Sequence, residues 1–275
     1  VFSVSRGRVY NRRLELVRRT DTMPDRILKA LDERVDFALL RDRATSEHMA
    51  SIGCRNTTIG GCPTIYLDRM MHRLPDVPGA LDRTALVSVR TPDLMSIPLE
   101  KQARVRNDIL DILALLRQRG YGDVRLLCHD HRDIAFAASF SDVDYVYTGD
   151  VMTYLALLSR CALNVTYRLH SFLPCVSFGC PTIKISYDER ALSLIDTLGL
   201  GEWNINMIEE PNLMGAIRDR MDRMDDLDRL KRANAPLWQA FYDQFDSTFR
   251  QFAGEVHAYH DAVEPKRPPV LRLAA

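Results

Sequence analysis

Basic side chains follow two predicted β-strands near the middle of the sequence. Residues 163–167 and 182–187 are rich in β-branched residues, and a short apolar segment that closes on glycine and proline separates them. Such a strand–helix–strand unit joins parallel strands, which end at the same edge of their sheet. Arg168 and His170, which follow the first strand, are therefore expected to lie beside Arg190, which follows the second.

These residues form a candidate anion-binding site. Ser171 is placed to cap the helix after the first strand, which would direct the free N–H groups and the dipole of that helix toward the same loops. Two arginines, a histidine and a helix N-terminus favour a bound phosphate or carboxylate. Taken singly, Arg168 and Arg190 are better explained as surface charges and His170 as a hydrogen-bonded loop residue. Their convergence at one sheet edge favours the functional interpretation.

The same residues resemble a known family. Tyr-Arg-Leu-His-Ser at 167–171 is followed by Ile-Ser-Tyr-Asp-Glu-Arg at 185–190, and this pair of motifs is similar to that of polysaccharide pyruvyl transferases. A block from Arg41-Asp42, through a helix, to the Gly-Cys-Pro-Thr turn at 61–64 resembles the family too. The family typically has lysine where Arg190 stands, so the charge is kept but a planar fork replaces a point donor.

Composition narrows the classes of partner. The 37 lysine and arginine residues balance the 37 aspartate and glutamate residues, so no net charge indicates a nucleic-acid partner. The six cysteines form no C-x-x-C pair and are expected to be reduced, as in a cytosolic protein. The sequence shows no signal peptide and no apolar run of membrane-spanning length, which predicts a cytoplasmic protein. The resemblance implies peripheral association with the inner face of the membrane.

Strands alternate with helices along the chain, which predicts an α/β fold with a parallel sheet covered on both faces. The expected architecture is GT-B-like, as the resemblance also implies: two doubly wound Rossmann-like domains face a cleft, and helices return at the C-terminus. A further strand is predicted at 64–67. The expected parts are an N-terminal α/β domain (1–70), a proline-containing linker (71–83), an α/β domain with the donor site (84–205), C-terminal helices (206–262) and a flexible tail (263–275). The family's early Gly-rich strand–loop–helix is not found here, so the first domain is expected to be incomplete.

The resemblance implies transfer of a pyruvyl group from phosphoenolpyruvate to a saccharide. His170 is suited to deliver the proton that the methylene carbon needs. A triply charged donor requires several cations, since each charge-assisted bond contributes only about 1.5–3 kcal/mol. Arg41, from the facing domain, and Arg190 are the preferred donor ligands. The remaining candidates for the donor site are Arg90, Arg168 and Ser171.

Several candidates keep an ordinary alternative. Arg168 is equally explained as a brace for the loop. The alternative for Arg41 is an ion pair with Asp42 or a nearby acid. Asp42 is itself a candidate base for the acceptor hydroxyl. Residues 129–131, His-Asp-His, invite a metal interpretation but lack a third ligand, so no metal and no cofactor besides the donor is expected. The candidates for the acceptor side are His131, Asp133, Tyr187 and Trp203, the two aromatic residues being equally explained as core.

The sequence therefore predicts a pyruvyl transferase that acts on a saccharide hydroxyl pair in exopolysaccharide or cell-wall glycan synthesis. The resemblance leaves open a lipid-linked acceptor and a homo-oligomer. One alternative is a GT-B glycosyltransferase with a nucleotide-sugar donor, in which Glu189 would bind the ribose, although no Gly-rich loop follows a strand of the second domain. The other is a catalytically degenerate binding subunit, to which the arginine at position 190 is the only pointer.

Overall fold

The computed structural model describes residues 8–18, 23–79 and 81–263. Its strands are β1 (Arg8–Tyr10), β2 (Leu16–Arg18), β3 (Ala38–Leu40), β4 (Thr57–Ile59), β5 (Thr84–Val89), β6 (Asp123–Cys128), β7 (Tyr145–Tyr147), β8 (Leu163–Thr166), β9 (Thr182–Ser186) and β10 (Ile205–Asn206). Its α-helices are α1 (Asp25–Asp32), α2 (Arg43–Ser51), α3 (Leu67–Met70), α4 (Leu99–Gln118), α5 (Ile134–Ala138), α6 (Val151–Arg160), α7 (Leu169–Phe178), α8 (Glu189–Thr197), α9 (Leu213–Asp222) and α10 (Met224–Val263).

The larger sheet has six parallel strands in the order β10-β9-β8-β5-β6-β7. Every residue of β5, β8 and β9 is buried, as expected for strands that are covered on both faces. Along β5, Leu86 packs toward α6, whereas Val87 and Val89 belong to the core on the opposite face. The predicted α/β class is confirmed.

Helix α4 shows how the sequence specifies these layers. Its apolar residues at helical spacing are completely or almost completely buried: Val105, Ile109, Ile112, Leu113 and Leu116. The helix ends just before Gly120, whose φ of +86° is a left-handed conformation that glycine adopts without strain.

The smaller α/β unit consists of β3, α2 and β4, with the two strands in parallel. The strand predicted at 64–67 is wrong, because residues Pro63–Tyr66 form a 3₁₀ helix. Proline at its first position has the backbone angle that a helix start needs and no N–H to leave unpaired. Tyr66 fixes the turn by donating its hydroxyl to the Gly60 carbonyl at 3.0 Å.

The two units are joined by hydrogen bonds between α2 and α8. The first N–H groups of α2 are accepted by side chains of α8: Arg43 N by Thr197 Oγ1 at 2.9 Å and Ala44 N by Ser193 Oγ at 3.2 Å. The carboxyl end of β3 thereby opens onto the cleft that the carboxyl ends of β5, β6, β8 and β9 border. This facing arrangement confirms the GT-B-like prediction, while the domain boundaries stay predictions.

The C-terminal helix α10 returns to pack against the segment after α8 and against the 3₁₀ helix at 63–66. Trp238 of α10 donates its indole N–H to the Leu198 carbonyl at 2.8 Å, and Tyr242 packs edge-on against Tyr66 with ring centroids 5.4 Å apart. No helix within the described residues is both long and apolar enough to cross a membrane. Residues 264–275, nearly all of the predicted tail, lie outside the described residues.

Candidate functional site

A cavity of about 220 Å³ lies where the carboxyl ends of the strands from both units meet. We call it the basic pocket, after the six basic residues of its lining: Arg41, Arg90, His129, Arg168, His170 and Arg190. Arg41 follows β3, Arg90 follows β5 and His129 follows β6, so each basic side chain is placed by the end of a strand or by the helix after it. Five of the six predicted site residues line this pocket, and Ser171 is the exception.

Arg90 carries the least compensated charge of the pocket. Its Nε and Nη1 atoms are buried and have no hydrogen-bond partner among the described residues. Its nearest ion-pair partner, Asp133 Oδ1, is 3.7 Å from Nη1. Burial, together with the charge of Arg168, lowers the pKa of Arg90. A buried guanidinium with unpaired donors is a site that an anion would stabilise.

Arg168 is held from behind. Its Nη2 donates to Asp133 Oδ2, and its Nε donates to the Val89 carbonyl at 3.1 Å. Asp133 is completely buried and also accepts the Thr91 N–H at 3.0 Å, so its carboxylate is fixed by both main chain and side chains. These bonds hold Arg168 in place, and its side chain stays slightly exposed in the lining of the basic pocket. Arg168 therefore fits both the brace and the donor-ligand interpretation. Asp133 itself lies beneath the pocket and not on an acceptor surface.

Arg41 and Arg190 meet across the two units. Arg41 Nη2 donates to the Arg190 carbonyl at 3.2 Å, and its Nε lies 3.7 Å from Asp42 Oδ2. Arg190 Nη2 donates to Asp188 Oδ2 at 2.7 Å, yet 45% of its side chain stays exposed, so this cation is available to a ligand. The predicted position of Arg41 in the cleft agrees with this geometry.

His170 interrupts the first turn of α7 with a non-helical backbone and lies at the mouth of the cleft. Its Nε2 is 3.8 Å from Cys62 Sγ of the smaller unit. Part of the residue is open to solvent, but the cleft walls desolvate the ring and Arg41 and Arg168 add positive charge, which together lower the pKa of His170 to about 4. The imidazole is therefore neutral at pH 7 unless an anion joins it.

The predicted capping role of Ser171 is wrong. Helix α7 begins at Leu169 without a side-chain cap, and Ser171 is completely buried with its hydroxyl bonded to Tyr154 Oη. Tyr154 in turn lies 3.1 Å from His129 Nδ1. Sequence reasoning missed this chain of contacts, because Tyr154 reads as an ordinary apolar position on the buried face of an amphipathic helix.

The remaining candidates have structural partners. Asp42 is completely buried and caps α2 by accepting Thr45 N at 2.9 Å, which argues against a role as acceptor base. Glu189 binds Arg8 of the β1–β2 hairpin, with the Arg8 Nε donating at 2.7 Å. Trp203 is core, with its indole N–H donated to the Thr182 carbonyl.

Residues 129–131 do not form a three-ligand group, although His131 Nδ1 lies 3.4 Å from Asp130 Oδ1. Asp130 binds Arg132, and the side chain of His131 is 75% exposed. Within the described ranges, no three His, Cys, Asp or Glu side chains are grouped as a metal site would require.

The fold and the site define an α/β protein whose two units enclose a cation-lined cleft. The chain belongs to the polysaccharide pyruvyl transferase family, whose sequence pattern matches residues 20–189 and so confirms the resemblance. The matched range includes Arg41, Arg90, Arg168 and His170 and ends one residue before Arg190.

A curated relative is the amylovoran biosynthesis protein AmsJ of Erwinia amylovora, which is 24% identical over 229 residues. The match covers 71% of this chain and 54% of AmsJ, so the chain spans about half the length of that relative. Solved structures with partial similarity include the UDP-GlcNAc 2-epimerase of Methanocaldococcus jannaschii (TM-score 0.45, 12% identity, 68% of this chain and 55% of that chain) and the glycotransferase of kitacinnamycin (TM-score 0.41, 17% identity, 81% and 61%). At these TM-scores, neither structure bears on the activity.

Proposed function

We propose that the protein transfers a pyruvyl group from phosphoenolpyruvate to a pair of hydroxyl groups on a saccharide. The observation that carries the proposal is that two buried nitrogens of the Arg90 guanidinium have no hydrogen-bond partner among the described residues, in a pocket shared with three further arginines. A small donor with a phosphate and a carboxylate would match this density of charge, since each group accepts several charge-assisted hydrogen bonds. The family to which the chain belongs and the role of AmsJ in amylovoran biosynthesis support an exopolysaccharide acceptor.

The reaction that this site would perform begins with a proton at the methylene carbon of the donor. Protonation makes the neighbouring carbon electrophilic, and one saccharide hydroxyl adds to that carbon. Phosphate then departs with the electrons of its C–O bond, and the second hydroxyl adds to close a ketal. Each hydroxyl releases its proton: one replaces the proton used at the methylene carbon, and the other is taken up by the departing phosphate.

His170 is the group proposed to deliver the first proton. Its lowered pKa keeps it neutral at pH 7, so it would gain this proton together with the anionic donor, whose charge offsets that of Arg41 and Arg168. The arginines would meanwhile hold the phosphate as it leaves, since a charge that develops on the leaving group is stabilised by donors already in place.

The nucleotide-sugar alternative loses one of its supports. Glu189, the residue that would bind a ribose, is occupied by Arg8 through its main-chain N–H at 2.6 Å as well as its side chain. Lipid linkage of the acceptor, self-association and a location at the membrane face stay predictions of the family resemblance.

Calorimetric titration tests the proposal with phosphoenolpyruvate and UDP as the two ligands. We expect phosphoenolpyruvate to bind, and Arg90→Gln to weaken it by about tenfold or more because a charge-assisted bond is lost. Arg250→Gln is the matched control, since Arg250 is an exposed arginine on α10 that pairs with Asp246 far along the chain from the pocket. Binding of UDP alone would overturn the proposal in favour of a glycosyltransferase. Binding of phosphoenolpyruvate without phosphate release in the presence of saccharides would favour a binding subunit.

A further inference from the structure

A second cavity of about 310 Å³ adjoins the basic pocket. The two cavities share His129 and His170, whose rings are stacked with centroids 6.5 Å apart and planes inclined by 24°. We call this second cavity the neutral pocket. Its other walls come from the 3₁₀ helix at 63–66, the end of β7 and the first turn of α6, and include Thr64, Tyr147, Thr148, Val151 and Leu155. Both cavities are thus lined by the same pair of histidines.

The chemistry of the neutral pocket differs from that of its neighbour. No lysine or arginine occurs among its described lining residues, and its single acid, Asp150, is engaged in capping α6 by accepting Thr153 N at 2.8 Å. Tyr147 is 39% exposed and Val151 is 68% exposed, so an aromatic ring and an aliphatic side chain face solvent in a concave site. Hydroxyl groups of Thr64 and Thr148 lie beside them. Apolar surface flanked by hydroxyls suits a neutral sugar ring, which has C–H faces and hydroxyl edges.

We infer that the neutral pocket is the acceptor subsite and that it takes an uncharged hexose unit. The inference rests on the proposed function and adds to it the place and chemical class of the acceptor. A sugar in this pocket would present its hydroxyls beside His129 and His170, which also line the basic pocket where the arginines would hold the donor. Donor carbon and acceptor oxygens would then meet beside the residue that delivers the proton.

Tyr147 offers a matched pair of variants. Tyr145 lies two residues earlier on the same strand and is similarly exposed, at 42%, but it lies outside the lining of the neutral pocket. Val151 has a similar counterpart in Leu99, because each is an exposed aliphatic residue at the first position of a helix. Val151→Trp would fill the cavity, whereas Leu99→Trp would add the same bulk elsewhere.

The subsite can be tested without turnover by measuring sugar binding with saturation-transfer NMR. The ligands are the methyl glycosides of galactose, glucose and mannose at millimolar concentrations. We expect at least one glycoside to bind, and Tyr147→Ala to weaken it roughly fivefold, the scale of one lost aromatic contact. Val151→Trp should abolish the signal. Tyr145→Ala and Leu99→Trp should leave it unchanged, and all four variants should bind phosphoenolpyruvate as the wild type does.

The subsite is overturned if no glycoside binds, or if the two tyrosine variants behave alike. Failure of the proposed function gives a different result, namely sugar binding with the expected pattern of variants but no binding of phosphoenolpyruvate. The two failures are therefore distinguishable in one set of samples.

Discussion

At the scale of single residues, the arginines of the cleft differ: one is held by neighbouring groups, and others keep donors that a ligand could bind. Arg168 is bound by Asp133 and by the Val89 carbonyl, whereas Arg90 keeps two donors without hydrogen-bond partners among the described residues. Arg190 is paired with Asp188 yet remains nearly half exposed. The same residue type therefore serves as scaffold and as candidate ligand within one pocket.

The state of His170 leads to a prediction about protons. Because its pKa lies at about 4, the His170 ring is neutral at pH 7 and carries a single N–H proton; an anionic donor beside the ring would raise that pKa. We expect binding of phosphoenolpyruvate at pH 7 to take up protons, which makes the calorimetric enthalpy depend on the ionisation enthalpy of the buffer.

His170→Gln is the control for that measurement, since the donor phosphate titrates in the same range. The variant should bind phosphoenolpyruvate with less proton uptake than the wild type. Equal proton uptake in the two proteins would contradict the assignment of the proton to His170.

Sequence reasoning was most successful for residues that follow strands. The loops after β8 and β9 bring Arg168, His170 and Arg190 to one edge, because parallel strands leave no other arrangement. Ser171 shows where such reasoning stops. Capping preference placed its hydroxyl on the main chain, but tertiary packing turned it to Tyr154, seventeen residues earlier in the chain. The bond between Asp133 and Arg168 likewise depends on how two strand-end loops pack.

At the scale of elements, the junction of α2 and α8 is the point at which one helix caps another. Thr197 Oγ1 accepts Arg43 N while donating to the Ser193 carbonyl of its own helix at 2.6 Å. The residue is almost completely buried, so removal of its oxygen would strand the N–H of Arg43.

Thr197→Val is therefore expected to lower the free energy of unfolding by about 0.5–1.5 kcal/mol, the net contribution of one hydrogen bond, because the N–H of Arg43 is only partly buried. Thr248→Val is the matched control, because Thr248 is also buried and also donates to the carbonyl four residues earlier in its own helix. Urea denaturation of both variants measures the difference. If both variants lose a similar free energy of unfolding, the bond between α2 and α8 adds nothing to that of the threonine hydroxyl with its own helix.

Elements themselves were mostly predictable. Asp150 caps α6, and the order β5, α4 and β6 follows the predicted alternation of strands and helices. The error at Pro63–Tyr66 arose because Thr-Ile-Tyr-Leu has the composition of a strand, whereas the proline before it starts a helical turn. The β1–β2 hairpin lies in a stretch without clear periodicity, and its contact with Glu189 could not be read from residue order.

At the scale of the whole molecule, the central sheet contains a completely buried lysine. Lys184 Nζ donates to the carbonyls of Tyr167 at 3.2 Å and Ile185 at 2.5 Å, and burial lowers its pKa from 10.5 to about 7. Between these two values the unfolded chain binds a proton that the folded protein does not. The free energy of unfolding should therefore rise with pH across this window.

Lys184→Met should remove this rise, which urea denaturation at pH 7 and pH 9 would detect as a smaller difference than in the wild type. Lys101→Met serves as the control, since Lys101 is a less buried lysine that also donates to a carbonyl, that of Ile208 at 3.1 Å. If the free energy of unfolding of Lys184→Met still rises between pH 7 and pH 9 as in the wild type, other groups cause the rise. Polar and apolar residues alternate in β9, and nothing in this pattern indicated that the lysine would be buried.

Helix α10 is about 60 Å long at 1.5 Å per residue and contacts both α3 and the segment that follows α8. On one side Arg69 donates to Gln239 at 2.8 Å, and on the other Asn234 donates to the Gly199 carbonyl at 3.0 Å. Gly199 has a φ of +73°, and a Cβ there would lie 2.0 Å from Asn234 Oδ1, so the fit leaves no room for a larger residue. Helix α10 and the segment that follows α8 are therefore fitted to each other. A chimera that takes α8 and this segment from a relative would also need the matching face of α10.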